Sequence, residues 1–153
     1  MLLLQFQAGD ERYGLDVSQV IEVVPQVTFR PLPHADPCVA GLFNYRGTMV
    51  PVIDLTTLLT GAPSRPLFST RIILTDYPDH DGGRRILGLV AERVTETVSC
   101  RLEDLQPAGI TVAGAPYLGD LFLHPEGTIQ RVEIERLLTP DLREALFPPG
   151  KEA

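Results

Sequence analysis

A chain of 153 residues, 44% apolar and 22% charged, has the size and composition of one globular domain whose core needs neither disulfides nor metal. A net charge of −7, with no basic run beyond Arg84–Arg85, argues against nucleic-acid binding, which draws on phosphate neutralisation. Cys38 and Cys100 stand alone, without C-x-x-C or metal-ligand spacing, as expected in a reducing, cytoplasmic setting.

In chain order, Leu2 to Gln7 predicts a first strand. It carries no positive n-region and no long h-region, so it does not read as a signal peptide. No apolar run approaches the roughly 20 residues of a membrane helix, so direct membrane insertion is not expected. The turn "AGDER" leads to a second strand over Arg12 to Val17. In "SQVIEVVPQ" the β-branched Val20, Ile21, Val23 and Val24 favour a third strand. Pro25, Pro31, Pro33 and Pro37 then impose an extended loop. Val39 to Phe43 and Thr48 to Leu55 predict strands on either side of a polar knot, "NYRG". "DLTTLLTG" allows a helical turn or two, with Asp54 as N-cap and a stop at Gly61 and Pro63. "APSRPLFS" reads as a linker.

Strands over Arg71 to Asp76 and Arg85 to Val90 flank the polar turn "YPDHDGG". "RVTETVSC" alternates and predicts a half-buried strand. "LEDLQPAG" is a loop or a short helical turn, and Gly119 to Leu123 and Thr128 to Ile134 predict further strands. "IERLLTPDLREALF" reads as helical, with Thr139 as N-cap, Pro140 at the first position and Leu142, Leu146 and Phe147 on one face.

The two halves echo each other. Gly14, Leu15, Val20, Glu22 and Val24 in "GLDVSQVIEVV" share their spacing with Gly88, Leu89, Val94, Glu96 and Val98 in "GLVAERVTETV". "GTMVPVIDLTTLL" resembles "GTIQRVEIERLL" with one residue deleted. Duplicated antiparallel units of this kind remove their edges by closing into barrels.

Catalytic chemistry finds little support. His34, His80 and His124 fall in separate loops without ligand spacing. No serine lies in a G-x-S-x-G context. The run "DHD" at 79–81 is three consecutive turn residues, which seldom converge on one ion. Glu22 and Glu96 fit either the outward face of an alternating strand or the rim of a binding patch. In the knot, Asn44 and Gly47 have turn chemistry. Arg46 does not, and its planar fork suits carboxylates and carbonyls on a partner. The second copy carries "HPEG" where the first carries the knot.

Taken together, "RYGLDVSQVIEVV", "VAGLFNYRGTMVPVIDL", "RIILTD", "LGLVAERVTETV", "LEDLQPAG" and "YLGDLFLHPEGTIQRVEIERLL" resemble the CheW-like domain of bacterial chemosensory coupling proteins, from Leu3 to about Leu138. The resemblance implies a mainly β fold of two SH3-like five-stranded barrels with short helices and a C-terminal helix. It implies one domain over 1–153, with halves at 1–62 plus the C-terminal segment and at 67–138. It implies a non-enzymatic cytoplasmic adaptor, without cofactor or metal, recruited to membrane receptor arrays. Its partners would be the cytoplasmic tip of a chemoreceptor and the regulatory domain of a CheA-type histidine kinase.

By position, the receptor-facing surface would include Val20, Glu22, Gly41, Asn44 and Arg46. The kinase-facing contact would include Leu87, Leu89 and Val90. Tyr45 departs from the Leu most often found in the family, with interface and core both open as its place. Arg131 is unusual in its strand. These departures point to a non-flagellar, surface-sensing pathway of the Wsp type, linked to cyclic-di-GMP. The alternative from another class is a small-ligand-binding or hydrolytic β-barrel.

Overall fold

The computed structural model describes residues 1–79 and 82–148, so His80 and Asp81 of the "DHD" turn lie outside the described residues. The first predicted hairpin forms as β1 (Leu2–Ala8) and β2 (Glu11–Asp16), followed by β3 (Val20–Pro25), β4 (Val39–Tyr45) and β5 (Thr48–Asp54). Helix α1 (Leu55–Thr60) precedes a second hairpin, β6 (Arg71–Pro78) and β7 (Arg84–Ala91). The remainder is β8 (Thr97–Ser99), β9 (Leu105–Gln106), β10 (Leu118–His124), β11 (Gly127–Val132) and α2 (Pro140–Leu146).

Both predicted caps form. Asp54 Oδ1 accepts from the Thr56 and Thr57 amides at 3.0 and 3.3 Å. Its Oδ2 accepts from the Ser64 amide and hydroxyl at 3.0 and 2.9 Å, tying the following loop to the helix start. Thr139 Oγ1 accepts from the Leu142 amide at 3.1 Å, with Pro140 opening the helix.

The strands form two sheets, in the orders β8-β1-β2-β11-β10-β9 and β3-β6-β7-β5-β4. The expected division into 1–62 and 67–138 is not how these sheets assemble. Each hairpin pairs with strands from the other half of the chain. β2 lies parallel to β11, and β7 lies parallel to β5. The sequence repeat is therefore present but interleaved, with the two copies exchanging their hairpins. The "GLDVSQVIEVV" and "GLVAERVTETV" runs are the crossovers from one sheet to the other.

Equivalent glycines mark the equivalence of the copies. A Cβ on Gly14 would meet Ile129 of β11 and Leu3 of β1 at 3.2 Å, and one on Gly88 would meet Val52 of β5 at 3.0 Å and Ile72 of β6 at 3.5 Å. Both are points of close strand approach inside a barrel.

In each sheet the chain itself links the two outer strands. In the first, β8 and β9 are the outer segments yet nearly consecutive in sequence, joined across a 3-10 turn at Leu102–Asp104. In the second, the chain beyond β3 pairs with β4: the Arg30 amide donates to Leu42 O at 2.9 Å and the Leu42 amide to Arg30 O at 2.8 Å.

Leu3, Ile129 and Cys100 fill the first barrel, and Val50, Val52, Ile72, Leu74 and Val90 the second. The largest apolar layer lies between the barrels, where Leu4, Phe6 and Leu15 of one sheet meet Ile53, Ile73, Leu87 and Leu89 of the other. Tyr77 and Phe147 stack within it at 5.6 Å, anchoring the C-terminal helix to this shared layer. Strands β5, β6 and β7 are thus buried on both faces, which is why "TMVPVIDL" and "RIIL" read as continuous apolar runs.

Candidate functional site

The knot is a two-residue hairpin turn between β4 and β5, with Tyr45 paired to Thr48. Its central residues, Arg46 and Gly47, have φ of 52° and 90°. Two positive φ values in a two-residue loop define a type I′ turn, whose twist matches the flanking strands and which favours Asn or Asp followed by Gly. Gly47 takes its place without strain. Arg46 occupies a left-handed conformation that its Cβ disfavours. Asn44 Oδ1 accepts the Gly47 amide at 2.9 Å and fixes the corner, as its residue type predicts.

Glu22 and Arg46, separated by 24 positions, meet because β3 and β4 are the two outer strands of the second sheet. Arg46 Nη2 donates to Glu22 Oε1 at 3.1 Å, and the Tyr45 hydroxyl donates to the same oxygen at 2.6 Å. The guanidinium carbon lies 5.0 Å from the centroid of the Tyr45 ring, and that ring stacks on Phe43 at 6.3 Å. The bond to Glu22 raises the Tyr45 phenol above its ordinary titration range, because it favours the protonated donor. The Arg46 side chain is 74% exposed and that of Glu22 37%. An ion pair this open adds little to stability.

The remaining predicted residues divide. Asn44 is exposed on the turn, and Val20 is half-buried against the layer between the barrels. Gly41 is buried at the closing seam. A Cβ there would lie 2.4 Å from the Arg30 carbonyl oxygen, and its φ is 144°. Gly41 therefore serves the fold rather than presenting a surface. Leu87, Leu89 and Val90 are a clearer correction. Leu87 and Leu89 lie in the layer between the barrels and Val90 inside the second barrel, so their side chains cannot meet a partner.

Of the two places its sequence left open, Tyr45 takes the core: its ring packs at the margin of the second barrel's apolar cluster. It reaches across the seam to fix Glu22, a link through the tertiary fold that no local pattern could reveal. Exposed apolar side chains flank this corner in sequence and register: Ile21 and Val23 on either side of Glu22, and Met49 opposite Asn44.

The equivalent turn of the first barrel joins β10 and β11 through Pro125 and Glu126. There the positive φ falls on Gly127, and His124 Nδ1 accepts the Glu126 amide at 3.1 Å, as Asn44 does for Gly47. Glu126 faces Arg12 at 3.7 Å. Elsewhere, burial and the neighbouring Asp36 carboxylate push the Cys38 thiol up to about 12, which leaves it unreactive. Among the described residues no cluster of His, Cys, Asp and Glu is arranged to hold a metal, and no helix is long and apolar enough to cross a membrane.

Two closed barrels welded through one apolar layer, with a strained and charged turn at one end, define a double-barrel scaffold. The chain belongs to the family of the CheW-like domain, whose pattern matches residues 2–141. It is 31% identical over 125 residues to the chemotaxis protein CheW of Treponema pallidum, covering 76% of this chain and 69% of that one. It is 28% identical over 141 residues to the chemotaxis protein CheW of Klebsiella aerogenes, covering 90% and 81%. Its fold matches the crystal structure of the scaffolding protein TtCheW from Thermoanaerobacter tengcongensis with a TM-score of 0.78 at 24% identity, over 90% of this chain and 87% of that one.

Proposed function

We propose that this chain is a non-enzymatic adaptor coupling a methyl-accepting chemoreceptor to a CheA-type histidine kinase at the cytoplasmic face of the membrane. In this reading the β4–β5 corner, with Glu22, Asn44 and Arg46, faces the receptor tip. The observation that carries it is Arg46: an exposed arginine held in a left-handed turn position that favours Asn, and replaced by Glu126 in the sister turn. A side chain kept at a conformational cost, with little return in stability, is retained for what it contacts.

The kinase would meet a different face. Two-sided binding lets each weak contact gain effective concentration from the others in an array. Arg46→Glu should weaken capture of a receptor cytoplasmic fragment in a pull-down while circular dichroism and capture of the kinase regulatory domain stay as in the parent. Unchanged receptor capture would contradict the assignment.

A further inference from the structure

We propose that Tyr45 is a positioning residue that holds the Arg46 guanidinium ready for a carboxylate on the partner. The inference rests on the receptor-facing reading of this corner and deepens it. Three contacts converge. The Tyr45 ring lies under the guanidinium at 5.0 Å, a cation–π distance. The Tyr45 hydroxyl fixes the Glu22 carboxylate at 2.6 Å, and that same oxygen takes Arg46 Nη2 at 3.1 Å. The ring itself rests on Phe43, which packs against the core of the second barrel. A long, mobile side chain is thereby given a floor and a fixed neighbour.

Arginine carries five N–H donors in a planar fork, and Glu22 engages Nη2 alone. The rest of the fork, on a side chain 74% exposed, suits the paired oxygens of a carboxylate. Two donors on one Glu22 oxygen offset its charge, so it repels an incoming carboxylate less than a free glutamate would. Ordering Arg46 before contact lowers the entropic cost of docking it.

A leucine at position 45 would supply apolar bulk but neither the aromatic face nor the hydroxyl. Aligned through the Gly-Thr pairs, the sister turn has Pro125 where this one has Tyr45, and so lacks the platform. The hydroxyl also sits where water can replace it, since Glu22 is 37% exposed. Removing it leaves no buried orphan, which separates a positioning role from a structural one.

The test measures, by calorimetry, the affinity of the full chain for a soluble fragment of a chemoreceptor's cytoplasmic helical hairpin, with thermal midpoints in parallel. Tyr45→Phe should weaken binding about threefold and Tyr45→Leu about tenfold, with midpoints unchanged. Both losses should vanish in an Arg46→Ala background. Parent-like affinity in the Tyr45 variants, or losses that persist without Arg46, would overturn the inference. If Arg46→Ala alone binds like the parent, the receptor-facing reading falls and the positioning role with it. If Arg46→Ala weakens binding while the Tyr45 variants do not, only the positioning role falls.

Discussion

The two barrels turn their equivalent hairpins, β4–β5 and β10–β11, with the same economy and opposite charge. In the second barrel, Asn44 accepts a turn amide and a cation, Arg46, reaches back to an anion on β3. In the first barrel, His124 accepts the turn amide and an anion, Glu126, reaches back to a cation on β2. What the copies share is what a hairpin requires: a side-chain acceptor before the turn and a glycine in or after it. What they do not share is the residue in the left-handed position, the aromatic platform and the sign of the exposed charge. Duplication followed by divergence thus separates the part of the corner that makes a barrel from the part that makes a surface.

The largest expected effect probes the shared, structural side. Gly41→Val would place a branched side chain at positive φ against the Arg30 carbonyl, on the seam that closes the second barrel. Denaturant unfolding should show a loss of about 3 kcal/mol or more. Full stability in this variant would mean that the seam can shift and that Gly41 is free for a surface role.

A smaller effect contrasts two residues that the repeat makes equivalent. Asp54 caps α1 with one oxygen and holds Ser64 with the other, whereas Glu133 makes no side-chain cap bond to the 3-10 turn that follows it. Asp54→Ala should cost about 1–2 kcal/mol and Glu133→Ala about 0.5 or less. Equal costs would show that the copies have diverged less than their hydrogen bonds imply.

The smallest effect is a titration. The bond to Glu22 keeps Tyr45 protonated beyond the ordinary tyrosine value of 10.0. A bond to so open a carboxylate adds too little to move the thermal midpoint, and what it adds is present at neutral pH and lost as pH rises through the raised phenol value. In Glu22→Gln, carbon-13 NMR of the labelled tyrosine ring should show Tyr45 titrating closer to its ordinary value. No movement would mean that the hydroxyl and carboxylate are not bonded in solution.

Much of this was legible in the chain. β-Branched runs placed the strands, Asp54 and Thr139 announced their helices, and matched spacing exposed the repeat. Interleaving was not legible, because the parallel contacts β2–β11 and β5–β7 join residues far apart and leave no local pattern. Burial on both faces erased the alternation that would have marked Leu87, Leu89 and Val90 as interior. Gly41 shares a motif with the charged corner, yet it answers to the Arg30 carbonyl, which sequence does not bring near. "APSRPLFS" read as a linker. It is pinned instead by Arg65, whose Nη2 meets a buried Glu92 at 2.8 Å. At the corner, residue type identified Arg46, while the Glu22 oxygen it shares with Tyr45 required the closed barrel.

One paired measurement tests the central claim that the two turns differ in function and not in folding. Receptor-fragment affinity is measured by calorimetry for Arg46→Glu and for Glu126→Arg at about 0.15 M salt, where long-range charge effects are screened over roughly 8 Å. The expected result is a loss of about tenfold or more for Arg46→Glu and parent-like affinity for Glu126→Arg, with both proteins folded. Equal losses from both substitutions, or none from Arg46→Glu, would contradict it.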